Sequence, residues 1–417
     1  MANSINTGKD LQIEIQSLVY GGDALGRLPD GRAVFVPFAL PGETVWVEVI
    51  EEKARHARAR LLEVLQPAPQ RIQPRCLHFG VCGGCSYQHL TYEDQLEAKT
   101  GILREQLQRI AGITDPPIRP IQPSPSPWYY RNAVQFHLTE QNQLGYYEMH
   151  RPQVFAIREC HLPETLINDI WPALDVEAVA GVERVELRCD MRDEALMVLE
   201  GQALELPEME LDMPLSVVHH SPAGPIVMAG EGDLVYEVLG RRFLVSSTSF
   251  FQVNTPMAAE MVQHLLDELP LKPDSTVLDV YCGVGLFSAF LAPRVARVIG
   301  IELAESAVED FAANLDEFDN VEIYQGPAEV VLPDLQVKAD VIVVDPPRAG
   351  LERAALDALV EMRAPVLAYV SCDQATLARD AKRLLRGGYR LAQITPFDLF
   401  PQTAHIESIS LFVHDTT

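Results

Sequence analysis

Three short apolar runs in the second half of the chain constrain its fold more than any other feature. Val277-Leu278-Asp279-Val280 runs into Tyr281-Cys282-Gly283-Val284-Gly285. Val341 to Val344 ends in Asp345-Pro346-Pro347-Arg348. Pro365 to Val370 ends in Ser371-Cys372-Asp373. Runs of this length without polar alternation suit strands covered on both faces. From Asn254 onward they alternate with helical patterns near 256–269, 286–293, 304–316, 352–362 and 374–386. Such alternation predicts a mainly parallel sheet with helices on both sides, whose ligands bind outside the strand carboxyl ends. All three runs deliver reactive or loop-forming residues to that edge.

The rest of the chain reads differently. Residues 9–66 hold short alternating runs, Leu11 to Ile15, Ala33 to Val36 and Thr44 to Ile50, separated by Gly21-Gly22, Asp30-Gly31 and Pro41-Gly42. This pattern predicts a small closed or half-closed β-barrel. Residues 67–90 combine prolines with a cysteine cluster. Residues 91–112 predict a helix capped by Thr91, with Asp94 three positions on and Leu96, Ile102, Leu103, Leu107 and Ile110 on one face. The proline-rich stretch 115–127 can hold neither helix nor central strand and reads as a linker or extended crossing. Residues 128–250 are mixed and strand-rich, with strands at Val182 to Arg188 and Leu196 to Leu199. The division expected is 4–65, 66–250 and 251–417.

Bulk properties exclude some functions. No run of 18 apolar residues occurs in the 417, so no membrane span is expected. The start, Met1-Ala2-Asn3-Ser4, lacks the charge and apolar core of a secretory signal, so a cytoplasmic protein is expected. Seven cysteines in such a chain suggest chemistry or metal rather than a disulfide framework. The net charge of −26 opposes strong non-specific nucleic-acid binding. It is uneven, however: residues 161–240 carry roughly 17 acids against 3 bases, whereas Lys53, Arg55, Arg58 and Arg60 form a local basic run.

Several motifs carry chemistry. Glycines after a strand let the backbone approach a ligand, and Glu302, closing the next apolar run, is placed to accept from a ribose diol. The string Gly283-Val284-Gly285-Leu286-Phe287-Ser288 lacks the third glycine of a dinucleotide site. With Asp279 at the strand end, S-adenosylmethionine is the better reading. Asp345, followed by two prolines, is a rigidly held carboxylate. Cys372 is a candidate nucleophile, with Glu407 in His405-Ile406-Glu407 as a base. Pyrimidine C5 is too inert to attack a methyl sulfonium. Thiolate addition at C6 activates it, and a base must then remove the C5 proton. Cys76, Cys82 and Cys85, with Cys160 as a distant fourth, could hold zinc or an iron–sulfur cluster. Cys189 rivals Cys160 for the fourth place, and Cys282 reads as packing. Phe250-Phe251-Gln252-Val253-Asn254 and Tyr129-Tyr130-Arg131-Asn132 mix aromatics with amides or a cation, a composition suited to base stacking and to the donor's amino-acid end.

Taken together, these residues resemble the RNA uracil-5-methyltransferase family over nearly the whole chain. The resemblance rests on the cysteine pattern, Phe250-Phe251-Gln252-Val253-Asn254, the Asp279–Gly285 string, Asp345-Pro346-Pro347-Arg348, Val370-Ser371-Cys372-Asp373 and His405-Ile406-Glu407. It implies an N-terminal OB-like β-barrel (a TRAM domain), a mixed α+β central domain and an α/β Rossmann-like methyltransferase domain. It also implies a [4Fe-4S] cluster on Cys76, Cys82, Cys85 and Cys160. Cys372 would attack C6 and Glu407 would act at C5. Gln252, Tyr281, Glu302 and Asp345 would line the S-adenosylmethionine site, with Asp345 near the uracil as well. The chain departs from the family at Gly326-Pro327-Ala328, where some members carry an amide facing the adenine, and at Asp373, where asparagine is frequent. The implied substrate is RNA, 23S ribosomal RNA ahead of transfer RNA. No membrane and no obligate protein partner are expected. An RNA-binding assembly factor and a cytosine-C5 enzyme are the rival readings.

Overall fold

The computed structural model describes residues 10–174, 181–203 and 213–414. Residues 4–9 of the expected barrel domain, and parts of the acidic stretch, lie outside them. The chain forms two compact units. The first comprises 1–105, 146–159 and 400–405, and the second 106–145, 160–399 and 406–417.

The first unit contains a closed barrel of β1 (Asp10–Leu18), β2 (Ala24–Arg27), β3 (Ala33–Val36), β4 (Thr44–Glu52) and β5 (His56–Gln66), in the order β1-β2-β3-β5-β4. Strand alternation sends Ile13, Ile15, Val34, Val36, Val45, Val47, Val49, Ala57 and Ala59 inward to form its core. The sequence shows β1, β3 and β4 clearly. It hides β5, because the inward residues there are two alanines and the outward ones arginines, which read together as a basic run. Three of that run's four cations are paired with acids: Lys53 with Glu51, Arg58 with Asp23, and Arg60 with Glu48. Exposed pairs of this kind contribute only about 0–1 kcal/mol each, so a phosphate can compete for the same cations.

Helix α1 (Tyr92–Gln106) starts as expected, with Asp94 N donating to the Thr91 hydroxyl at 3.2 Å and that hydroxyl donating to the Asp94 carboxylate at 2.6 Å. The 146–159 segment, carrying β8 (Val154–Ala156), packs on the cysteine-bearing loop. Gly83 N donates to Tyr147 O and Met149 N to Val81 O.

In the second unit, β6 (Ala133–Leu138), β7 (Leu144–Tyr147), β9 (Val182–Cys189), β10 (Ala195–Gly201), β11 (Ser216–Ser221) and β12 (Gly224–Ala229) form a sheet in the order β12-β11-β10-β9-β6-β7. A short helix, α2 (Thr165–Ile170), lies between β8 and β9 in sequence. All three bases within 161–240 are tied to local acids, Arg184 to Glu200, Arg188 to Glu186 and Arg192 to Asp190. A hairpin of β13 (Asp233–Val238) and β14 (Arg241–Ser246) leads into α3 (Thr255–Glu268).

The mainly parallel sheet follows. Its strands are β15 (Thr276–Val280), β16 (Arg297–Glu302), β17 (Val321–Gln325), β18 (Val341–Val344), β19 (Val366–Ser371), β20 (Tyr389–Phe397) and β21 (Glu407–His414), ordered β17-β16-β15-β18-β19-β21-β20. Five strands are parallel, and the last two join antiparallel. Helices α4 (Leu286–Leu291), α5 (Glu305–Asn314), α6 (Ala328–Asp334), α7 (Arg353–Met362) and α8 (Gln374–Arg386) connect them. Burial on both faces explains the unbroken apolar runs of β15, β18 and β19. The proline-rich stretch is an extended crossing. Arg119 N and Gln122 N donate to Ile394 O and Pro396 O of β20, so this segment satisfies carbonyls on the strand that would otherwise be the sheet's open edge.

Candidate active site

The carboxyl edge of β15 is shaped by backbone conformation. Tyr281, Gly283 and Gly285 all have positive φ, at 65°, 53° and 90°. The two glycines serve different ends. A Cβ on Gly283 would meet nothing within 4 Å, so the backbone there faces open space that a ligand can enter. A Cβ on Gly285 would come within 2.4 Å of Leu315 Cδ1 and 3.0 Å of the Phe311 ring, so this residue packs the loop on α5. Gly285→Ala is therefore expected to cost about 1–3 kcal/mol for the left-handed backbone, plus the clash. Urea unfolding and titration with S-adenosylhomocysteine should show lowered stability and weakened binding together.

Glu302, at the end of β16, holds the loop from the other side. Its carboxylate accepts from Gly283 N at 3.0 Å, Leu303 N at 2.7 Å and Ala304 N at 2.8 Å. A carboxylate has about four acceptor positions, so these three bonds leave one unused. Below the loop Asp279 is fully buried. The Ser288 hydroxyl donates to its Oδ2 at 2.6 Å, while Oδ1 has no hydrogen-bond partner. Burial pushes the Asp279 carboxyl up to about 6, with Ser288 opposing the rise. Cys282 is packing: it is buried, and its sulfur occupies the space a Cβ on Gly300 would need.

Asp345 lies at the end of β18, with its N–H donating to Val280 O at 3.2 Å. Burial, reinforced by the Asp279 carboxylate, pushes its carboxyl up to about 7. The loop beyond it is clamped by buried Asp380 of α8, which accepts from Leu351 N at 2.9 Å and the Tyr369 hydroxyl at 2.8 Å. Nothing in the sequence singled out Asp380; its heptad-like spacing on an amphipathic helix gave no sign of a buried acceptor.

Cys372 and Glu407 meet through strand register. Ser371 of β19 pairs with Ser408 of β21 in an antiparallel ladder. That is the last pair of the ladder; Cys372 and Glu407 are the next residues beyond it, and the Glu407 charge bears on the Cys372 thiol. Burial pushes the Cys372 thiol up to about 12, with Glu407 and then Asp345 adding to the rise and Arg348 opposing it. Glu407, 4% exposed, is held well above the ordinary carboxylate range by burial and then by Asp345, again against Arg348. A thiol, two carboxyls with raised proton affinity and one guanidinium thus share one electrostatic neighbourhood. Asp373 caps α8, accepting from Ala375 N at 3.1 Å and Thr376 N at 2.9 Å.

The segment before Glu407 depends on residues that the sequence did not flag. Within the first unit, the fully buried Lys99 donates to Phe400 O at 3.0 Å. Gln95 exchanges hydrogen bonds with Gln402. Gln252 is half-buried, and its backbone oxygen accepts from the Asn132 amide at 3.0 Å. Of its aromatic neighbours, Phe250 is 70% exposed whereas Phe251 is stacked on Tyr236 in the core, 4.7 Å between centroids. Tyr129 is exposed and Tyr130 buried.

For metal binding the outcome is different. Cys76, Cys82 and Cys85 lie on one loop of the first unit, where Gly84 N donates to the Cys82 sulfur at 3.3 Å; Cys160 falls within the second unit. Cys189, its rival, is buried and donates to the Glu164 carboxylate at 3.5 Å. Four thiols suit a cluster in kind, but among the described residues no group of three or more His, Cys, Asp or Glu side chains is gathered to hold a metal ion.

Comparison with known proteins identifies the family. Residues 233–414 match the family model described as tRNA (Uracil-5-)-methyltransferase, and residues 6–62 match the TRAM domain model. A protein of Thermosynechococcus vestitus described as an uncharacterized RNA methyltransferase is 34% identical, over 97% of this chain and 98% of its own. The chain belongs to the RNA uracil-5-methyltransferase family. An uncharacterized RNA methyltransferase of Bacillus cereus is 31% identical over 99% of this chain and 98% of its own. The Pyrococcus abyssi tRNA (uracil-54, C5)-methyltransferase, solved with S-adenosyl-L-homocysteine, matches with a TM-score of 0.75 and 25% identity, covering 97% of this chain and 100% of that one. The protein is thus an S-adenosylmethionine-dependent RNA methyltransferase. Its barrel is a TRAM domain, and the sheet of β15 to β21 with its helices is a Rossmann-like methyltransferase fold. None of its helices, among the described residues, is long and apolar enough to cross a membrane.

Proposed function

We propose that this methyltransferase acts on C5 of a uridine through a transient bond between Cys372 and C6, with Glu407 as the base at C5. The observation that carries this reading is the placement of Cys372 and Glu407 just beyond the last pair of the β19–β21 ladder, in the field of Asp345 and Arg348, on the edge that also bears the Gly283–Gly285 loop. The Cys372 thiolate adds to C6, and the electrons of the C5–C6 double bond move toward O4. S-adenosylmethionine, when bound, supplies an electrophilic methyl group to C5. Glu407 then takes the C5 proton. The electrons of that C–H bond restore the double bond as the C–S bond breaks and the thiolate departs. Since burial and neighbouring carboxylates keep the resting thiol protonated, its proton must leave first; Arg348 is the side chain whose charge favours this.

Gln252, Tyr281, Glu302 and Asp345 are assigned to the donor site. The unused acceptor position of Glu302 and the unobstructed backbone at Gly283 support that assignment. Residues 4–65 would bind the RNA and the central domain, 66–250, would carry the cluster, with its acidic stretch 161–240 away from the RNA, while 251–417 carries the chemistry on a uridine turned out of its stack. A cytoplasmic setting suits such a substrate. The preferred RNA is 23S ribosomal RNA, from the family resemblance. The likeness to the Pyrococcus enzyme favours transfer RNA as the second reading.

Labelled S-adenosylmethionine with both RNAs lacking 5-methyluridine separates the two, and the labelled position should then be mapped. Label at a ribosomal uridine is the expected result. Label on transfer RNA alone supports the second reading, and no label on either, from folded and donor-binding protein, overturns catalysis. A [4Fe-4S] cluster on Cys76, Cys82, Cys85 and Cys160 is proposed from the resemblance and from the Gly84 N–H on the Cys82 sulfur. Iron and acid-labile sulfide in anaerobically purified protein, lost in Cys82→Ser, are expected. Fully active protein without iron would remove the cluster.

A further inference from the structure

We propose that Asn314, the last residue of α5, is a positioning residue that sets the spacing between the two loops of the methyl-donor site. The inference rests on the reading that Gly283–Gly285 and Gln252 bind S-adenosylmethionine. Asn314 reaches both loops through one side chain. Its Oδ1 accepts from Leu244 N of β14 at 2.7 Å, and its Nδ2 donates to Leu244 O at 3.0 Å. The same Nδ2 donates to Val284 O, between the two loop glycines, at 3.1 Å. Both donors of the amide are thereby used. The side chain substitutes for a neighbouring strand along β14 and fixes the carbonyl that orients the glycine loop.

Other contacts of α5 act in the same direction. Asp310, one turn earlier and buried, accepts from Ser246 N at 2.9 Å and from the Ser246 hydroxyl at 2.5 Å. The Asn314 carbonyl accepts from Arg241 at 2.7 Å. Ser249 donates to Ser306 at 3.2 Å, three residues before Gln252. Gly285 lies against Phe311 and Leu315, on either side of Asn314. Helix α5 therefore bears on both the strand that leads to Gln252 and the loop that follows β15. A ligand held between two loops binds best when their spacing is fixed beforehand, because ordering them on binding would subtract from affinity.

Two substitutions test this by titration with S-adenosylhomocysteine and by steady-state kinetics. Asn314→Ala removes the bridge. Asn314→Asp keeps the shape and the acceptor for Leu244 N, but faces Leu244 O and Val284 O with an oxygen in place of a donor. Loss of a bridging hydrogen bond is expected to weaken binding about tenfold in Asn314→Ala, and by at least as much in Asn314→Asp. KM for RNA, and kcat at saturating donor, should stay near wild type. Unchanged donor affinity in the folded variants overturns the proposal, as does a loss confined to RNA KM or kcat. If Asn314→Ala does not fold, the near-isosteric Asn314→Asp carries the test alone. Glu302→Ala is the control on the underlying reading. If it binds S-adenosylhomocysteine as tightly as wild type, the donor-site assignment falls, independently of what the Asn314 variants do.

Discussion

Replacing Cys372 by alanine is expected to lower methyl transfer by about four to six orders of magnitude, the scale on which loss of a covalent nucleophile acts. The proposed chemistry has no alternative route to an electron-rich C5. The half-buried Cys372 follows the last residue of β19, outside the buried strand itself, so alanine should leave the fold intact. Thermal melting and S-adenosylhomocysteine affinity should match wild type. The wild-type protein is expected to form a covalent adduct with 5-fluorouridine RNA on denaturing electrophoresis, and the Cys372→Ala variant is expected to form none. A Cys372→Ala protein that kept more than a few per cent of activity would remove this residue from the nucleophile role. Cys282 is no substitute, since burial raises its thiol far above the ordinary range and its sulfur packs on Gly300.

Glu407→Gln should act later in the reaction. Loss of a positioned base costs about 10²–10⁴ in rate, and it does so after the thiolate has added and C5 has gained its methyl group. The methylated adduct should therefore accumulate with natural uridine, which Cys372→Ala cannot do. Loss of activity without an adduct would place Glu407 before addition and contradict its assignment. The pH dependence carries a definite sign. Glu407 must be ionised to act, and burial and Asp345 hold its carboxyl above the ordinary range. The rate should rise with pH through that raised pKa. The thiol, held up to about 12, must also lose a proton, which adds to the rise. Asp345→Asn removes a carboxylate that raises both groups, so the rising limb should move to lower pH, whatever that substitution costs in binding.

Much of this site was legible along the chain because the fold converts sequence order into position. A parallel strand buried on both faces must be an apolar run, and its loop must follow directly. Residues after β15, β16, β18 and β19 could therefore be assigned to one edge without coordinates. The helices of this half were also legible, α6 excepted, since its short span interrupted by Pro333 shows little periodicity. The barrel was half legible. Where inward residues are alanines, as in β5, hydrophobic alternation fades and the outward arginines dominate the pattern.

The sequence by itself determined the class of fold, the reactive residue types and the edge on which they gather. Only the tertiary structure decided what surrounds them. Cys372 and Glu407 are 35 positions apart, and the register of β19 with β21 makes them neighbours. Burial raises the proton affinities of Cys372 and Glu407, and Asp345 and Arg348, brought in from another loop, raise and lower them further. That effect depends on distance and burial, neither of which composition encodes. The same holds for Asn314 and Asp380. A polar residue on a helix looks solvent-facing until the carbonyls, amides and hydroxyl it serves are brought to it by packing.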